Sequence, residues 1–227
     1  MLVGVISDIH SNLPAMKAVL AAIKRLGPQR IICAGDIVGY NASPDEVCAL
    51  LRDRKVGSIL GNHDRALTLG DTSRLVEDAA RVIRWTRRRL SGASREALED
   101  LPARRRLSLG GRRILLVHGS PQDDDEYVLP LSEKLWPFGN PGADVLVMGH
   151  THVPWTDRFE GCGLTVINPG SVGQPRDGDP RASFATFDTR DLTVRLHRVA
   201  YDIDMAARAV VAAGLPARFA QRLYNGR

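Results

Sequence analysis

Five short stretches hold most of the reactive chemistry in this chain: Ser7-Asp8-Ile9-His10, Gly35-Asp36, Gly61-Asn62-His63-Asp64, His118-Gly119 and Gly149-His150-Thr151-His152. Five of the six histidines lie in them, alongside Asp8, Asp36 and Asn62. Imidazole, carboxylate and amide oxygen without thiolate make a donor set for a divalent metal such as Mn, Fe, Zn, Co or Ni. There are more donors here than one ion takes, since a single ion is satisfied by about four to six ligands, some of them water. The surplus points to two ions sharing a carboxylate. That arrangement clamps both ends of a phosphoryl displacement.

These side chains need elements to position them. Each stretch follows a short apolar run: Leu2 to Ile6, Ile31 to Ala34, Gly57 to Leu60, Ile114 to Val117 and Val145 to Met148. The runs have strand length and are mostly rich in β-branched residues, as buried strands are. In open α/β sheets, polar groups at the carboxyl ends of strands converge on the rim where ligands bind. Asp8 and His10 are two apart, as are His150 and His152, so on an extended strand end each pair lies on one side.

Helical patterns separate the first strands. Ser11-Asn12 can cap a helix whose apolar face ends at Gly27-Pro28. Ser43-Pro44-Asp45-Glu46 begins another, running to about Arg54. Strand-helix-strand-helix-strand implies a parallel sheet with right-handed crossovers. The spacing then predicts helix over 66–101, a hairpin about Gly110-Gly111, and a long acidic connection over 121–142 with a short helix near Ser132 to Leu135. Strands over 155–159, 163–167, 182–187 and 192–199 read as successive antiparallel neighbours, and two short helices close the chain. The 227 residues read as a single domain, 1–227.

Asp-x-His, Gly-Asp, Gly-Asn-His-Asp, His-Gly and Gly-His-x-His, in that order, resemble the calcineurin-like metallophosphoesterase superfamily. Asn168-Pro169-Gly170-Ser171 extends the similarity. The resemblance is to its small bacterial and archaeal phosphodiesterase branch. It implies a four-layer α-β-β-α sandwich of two mixed sheets, the metallo-dependent phosphatase fold. It also implies one metal held by Asp8, His10, Asp36 and His152, and a second held by Asp36, Asn62, His118 and His150. Manganese is the expected ion, with Fe, Zn, Co or Ni as alternatives. The implied reaction is hydrolysis of phosphate esters, small nucleotides above all, by a water that the two ions acidify. His63 takes the role of catalytic acid, contacting the phosphate and protonating the leaving oxygen. Asp64 orients His63 or, more simply, caps the following helix.

Around this centre Asn12, Arg65 and Arg176 are the expected substrate-binding residues. Tyr40, Asn41, Ser120, Glu126 and Asn168 are weaker candidates, and the Asn168 to Arg176 turns read equally well as ordinary turn chemistry. His197, on a late strand between Arg195 and Arg198, reads as structural or exposed. One departure stands out. Serine/threonine protein phosphatases of the superfamily carry an aspartate and an arginine where Gly39-Tyr40-Asn41 stands. A protein phosphatase using that Asp–His pair is therefore not expected.

Composition narrows the rest. The net charge is +5, carried mostly by arginine, which is modest for this length. The basic face of Arg81, Arg84, Arg87, Arg88 and Arg89 reads as a solvated helix face, with Trp85 a packing residue. A nucleic-acid partner is not expected, because the aromatic interleaving of single-strand binders is missing. No stretch has the apolar length of a membrane span, and Asp8 follows Ile6 too closely for a signal peptide. A cytoplasmic location is the default. Cys33, Cys48 and Cys162 read as reduced thiols. Oligomeric state is left open. Two alternatives accompany the main reading: a dinucleoside polyphosphate hydrolase of the diadenosine tetraphosphate type, and a non-catalytic interaction scaffold. Only the scaffold predicts eroded ligand positions, and none is eroded here.

Overall fold

The computed structural model describes residues 1–130, 136–139 and 141–227. The short helix expected near Ser132 to Leu135 lies outside the described residues. The described residues form two five-stranded mixed sheets. In the first sheet, β1 (Leu2–Ile6), β2 (Arg30–Cys33) and β3 (Gly57–Ser58) run parallel. On the other side of β1 lie β9 (Ala182–Asp188) and β10 (Val194–Val199), each antiparallel to its neighbour. In the second, β5 (Arg112–Leu116), β6 (Val145–Val147) and β8 (Leu164–Asn168) are parallel. They are edged by β4 (Arg105–Leu109) and β7 (Trp155–Phe159) in antiparallel pairing.

The sheets pack face to face through alternate side chains. Val3, Val5, Ile32, Ala34 and Phe187 of the first sheet meet Ile114, Leu116, Val145, Val147 and Ile167 of the second, all buried. Strand periodicity sends Ile6 and Cys33 to the other face of the first sheet. There they meet Met16, Val19, Leu20 and Ile23 of α1 (Leu13–Leu26) and Val47 and Leu51 of α2 (Pro44–Asp53). Over the outer face of the second sheet lie Val128, Trp136, Phe138 and Ala143, from the connection between β5 and β6.

Several local expectations are met. Asn12 caps α1 by accepting from the Ala15 N–H, and Gly27 ends it in a left-handed conformation. Gly110 and Gly111, with φ of 55° and 80°, form the two-residue turn between β4 and β5. His197 is structural: it stacks on Phe184 at 4.6 Å and shares a hydrogen bond with the Thr186 hydroxyl. Cys33, Cys48 and Cys162 are free thiols.

Two expectations are corrected. The stretch 66–101 is three helices, α3 (Asn62–Leu69), α4 (Glu77–Arg87) and α5 (Gly92–Glu99). Gly70 caps α3 in a left-handed conformation and a turn-forming Asp-Thr-Ser run follows, so the apolar periodicity spans breaks in the backbone. The late strands are not successive neighbours either. β7 pairs with β8, but β9 crosses to the first sheet and pairs with β1. The fully buried Leu164, Val166 and Ile167 need cover on both faces, which a central strand beside β6 supplies. The chain closes with α6 (Ile203–Ala212) and α7 (Ala217–Asn225).

Candidate dinuclear metal centre

The five motifs meet where the two sheets' strand ends face each other. Backbone bonds beyond the strands hold the loops together: the Asp8 N–H reaches Gly35 O, the His10 N–H reaches Asp36 O and the Gly149 N–H reaches His118 O. The strand ends are not extended, as the two-residue spacing suggested. Asp8, His10, Asp36, Tyr40, His150 and His152 have φ between 47° and 67°. A non-glycine residue in this region is strained by roughly 1–3 kcal/mol and persists only where surrounding bonds enforce it. Here the strain falls on the residues that converge.

The donors form two groups that share one residue. Asp8, His10, Asp36 and His152 make one; Asp36, His118 and His150 make the other, with ligand atoms in each group within 4.8 Å of one another. Asn62, at the start of α3, places its Oδ1 3.1 Å from His118 Nε2. Asp36 Oδ2 lies 3.5 Å from His10 Nε2 and 3.4 Å from His118 Nε2, between the groups. All of these residues except Asn62 are buried.

Hydrogen bonds set the imidazole tautomers. His10, His118 and His152 direct Nδ1 at the carbonyls of Val38 (3.1 Å), Ala34 (2.7 Å) and Gln174 (2.6 Å). A carbonyl only accepts, so these Nδ1 atoms carry a proton and Nε2 is the nitrogen that faces inward. His150 is turned the other way. Its Nε2–H donates to the Asp125 carbonyl at 3.0 Å, leaving Nδ1 for the centre.

This arrangement fits divalent cations. Neutral His10 and His152 bring Nε2 lone pairs to 3.0 Å of each other, which is repulsive unless a cation or a proton sits by them. Asp8 Oδ1 is buried, 3.3 Å from His152 Nε2, with no hydrogen-bond donor of its own. Burial opposes ionisation of Asp8 and Asp36, yet the surrounding imidazoles, His152 for Asp8 and His118 for Asp36, hold both carboxyls well below the usual range. For His118, burial is outweighed by Asp36, which pushes it up to about 10. Burial, with Asp36 adding to it, pushes Asp64 up to about 7. The two glycines of the flanking motifs are steric requirements. A Cβ on Gly61 would stand 2.1 Å from Asp36 Oδ1, and one on Gly149 would stand 2.1 Å from Ser7 Oγ and 2.8 Å from Asp8 Oδ2.

His63 is buried beside the centre, with Nε2 3.1 Å from the Tyr40 hydroxyl and its ring edge-on to His10. Its Nδ1 has no partner and faces Gly39. A Cβ on Gly39 would lie 2.6 Å from that nitrogen, so no aspartate fits there without displacing the ring. The absent Asp–His pair is thus built into the local geometry. Asp64 takes the capping role: its carboxylate accepts the N–H groups of Ile37, Val38 and Gly61, pinning the Asp36 loop to α3.

A cavity of about 800 Å³ opens over Asp36, Asn62, His63, His150 and His152. Arg65 and Arg176 line it, and Asn12 does not. Asn12 is a correction: it is wholly buried, and its amide is committed to capping α1 and to the Gly173 carbonyl. Arg65 reaches the cavity but is ion-paired with Asp124 and Asp125. Arg176 donates to the Tyr40 hydroxyl at 3.1 Å, and no carboxylate faces it among the described residues. Asn41, Ser120 and Asn168 are buried in loop hydrogen bonds, and Ser171 Oγ donates to the Asp8 carbonyl, so the turns after β8 brace the first motif. Asp125 and Tyr127 also border the cavity, with the Tyr127 ring 4.1 Å from that of His150. Sequence reasoning missed both; the acidic run at Asp123 to Asp125 was the one signal available.

Comparison with known proteins agrees with the geometry. Residues 1–192 match the model of the calcineurin-like phosphoesterase superfamily domain. An uncharacterised protein of Methanocaldococcus jannaschii is 37% identical, covering 100% of this chain and 98% of its own length. The crystal structure of a metallophosphoesterase from Sphaerobacter thermophilus superposes with a TM-score of 0.80 at 33% identity, covering 100% of both chains. An Escherichia coli phosphodiesterase is 28% identical over 83% of this chain and 88% of its own. The chain therefore belongs to the calcineurin-like phosphoesterase superfamily, whose catalytic members are metal-dependent hydrolases of phosphate esters.

Proposed function

We propose that this chain hydrolyses phosphodiesters of small nucleotides, using two divalent ions of which manganese is the first to test. Asp8, His10, Asp36 and His152 would hold one ion, and Asp36, Asn62, His118 and His150 the other. The observation that carries this is the position of Asp36 Oδ2 between the inward Nε2 atoms of His10 and His118, with the unpartnered Asp8 Oδ1 close by. When bound, such ions supply Lewis acidity at phosphoryl oxygens and a water acidified to near neutrality.

The remaining steps belong to the protein. Arg176 faces the cavity without an acid partner and is available to a phosphate oxygen. Tyr40 holds Arg176 and His63 in one hydrogen-bonded row. Burial, with His152 and Arg176 adding to it, pushes His63 down to about 4. It rests neutral at pH 7, and an anionic phosphate beside it favours the charged form that protonates a leaving oxygen. Of the arginines lining the cavity, Arg65 and Arg74 are already ion-paired with Asp125. One guanidinium without a carboxylate partner suits a singly charged diester better than a polyphosphate chain.

Metal-stripped protein, reloaded one ion at a time, should be assayed on a bis-aryl phosphodiester, an aryl monoester and diadenosine tetraphosphate. The diester should turn over fastest, and Asp36→Asn should abolish turnover while lowering metal content. Faster cleavage of the tetraphosphate would favour the polyphosphate hydrolase instead. No hydrolysis with any ion would favour the scaffold.

A further inference from the structure

The cavity extends well beyond the metal ligands, and its far wall is apolar. Leu69 at the end of α3, and Leu75 and Val76 leading into α4, line it, and Tyr127, whose ring lies against that of His150, borders the same cavity from the side of the metal ligands. Leu69 is 73% exposed, Val76 68% and Tyr127 58%. These are large side chains that local rules would keep out of water. Val76 breaks a second rule, since it occupies the N-cap of α4 and offers no side-chain acceptor to the first turn. Serine, threonine, aspartate or asparagine is favoured there. Exposed apolar residues gathered in one concavity, against local preference, mark a ligand surface.

We infer that the Leu69–Val76–Tyr127 wall is the subsite for the base of a nucleoside carried on one arm of the phosphate ester. The inference rests on the small-nucleotide phosphoesterase reading above and adds the place where the base would bind. The cavity, at about 800 Å³, is far larger than a phosphate group requires and lies in the range of small-molecule sites. It is continuous from Arg176 and the metal-binding residues to the apolar wall, so a group attached to phosphorus reaches that wall directly. The wall is not apolar throughout. Asp71, which accepts from the Ser73 N–H, and Arg74, which is paired with Asp125, stand beside it, and each keeps further acceptor or donor sites. A base has apolar faces and hydrogen-bonding edges, which matches this mixture; an acyl chain would use only the apolar part of it. The exposed Tyr127 ring supplies an aromatic face of the kind on which bases stack.

The test uses the manganese-loaded protein and measures binding by calorimetry, with adenosine 5′-monophosphate and inorganic phosphate as probes. Leu69→Ser and Val76→Ser alter exposed side chains, and serine at position 76 supplies the missing helix cap, so thermal melting should be unchanged or raised. The wild-type protein should bind the nucleotide roughly tenfold more tightly than phosphate, and the double variant should lose most of that advantage while holding phosphate equally well. Equal affinity for the two probes in the wild type, or a preference that survives the double variant, would overturn the subsite and leave the phosphoesterase reading standing. Failure of the wild-type protein to bind either probe would remove both. Sedimentation of the same samples gives the other occupant its chance: a dimer that the variants dissolve would assign the wall to a second copy of the chain and overturn the inference.

Discussion

Gly61→Ala isolates the steric requirement at the bridging carboxylate. Gly61 has φ −92° and ψ −177°, a backbone that alanine adopts without strain, so the change tests space alone. The new Cβ would lie 2.1 Å from Asp36 Oδ1, 2.3 Å from the Asp36 backbone nitrogen and 2.7 Å from its carboxyl carbon. Two of these atoms belong to a buried side chain and one to backbone, so relief requires the Asp36 loop to retreat by about 1 Å. Overpacking of this kind costs about 1–3 kcal/mol, which for a domain of this size lowers Tm by roughly 2–12 °C. Catalysis should suffer far more. A displacement near 1 Å in a positioned group costs on the order of 10²-fold in turnover, and Asp36 is the one donor common to both metal groups. The assay is metal content after dialysis, kcat on a bis-aryl phosphodiester, and thermal melting. Gly57→Ala is the control: its nearest neighbours would be 3.8 Å away, so it should change neither metal content nor turnover. Wild-type metal content and turnover in Gly61→Ala would refute the assignment of Asp36 as a sterically fixed bridge.

Three further tests probe the neighbouring groups. His63→Ala should keep its metal and lose turnover most for esters with poor leaving groups; equal losses for good and poor leaving groups would contradict the acid role. Arg176→Leu should raise KM for the diester by roughly tenfold or more, and Tyr40→Phe, which removes the hydroxyl joining Arg176 to His63, should lower kcat by less than His63→Ala does. If Tyr40→Phe were the more damaging change, the tyrosine itself would be the better proton-donor candidate. The metal-free protein should lose stability as pH falls from about 6.5 to about 4. Burial pushes His63 and His150 down to about 4 and lowers His10 and His152 as well, so the unfolded chain binds more protons across that interval. Asp64, held up near 7, has the opposite sign but is a single group. Melting temperatures of chelator-treated protein that stay flat across this interval would show that these imidazoles are not buried as described.

Much of the centre was legible in the chain because its information is local. A strand-length apolar run followed by Asp, His or Asn is readable without coordinates, and Asp8, His10, Asp36, Asn62, His118, His150 and His152 do come together at the sheet ends. Capping at Asn12, the turn at Gly110-Gly111 and the absence of an aspartate at Gly39 are local in the same sense. The break of 66–101 at Gly70 was readable in principle, but helical periodicity on both sides masked it.

What the amino-acid order determined by itself was the kinds of donor present and their spacing along the strands, since both depend on residue type and the short reach of the backbone. Only the tertiary structure decided how they are used. It turned the strand ends into left-handed backbone, oriented each imidazole through a distant carbonyl, and moved β9 into the other sheet. It also withdrew Asn12 into the fold, tied Arg65 to Asp124 and Asp125, and left Arg176 without a carboxylate partner among the described residues. Each of those outcomes depends on contacts between residues remote in sequence, as between Tyr40 and Arg176, and no local pattern of side chains encodes such a pairing.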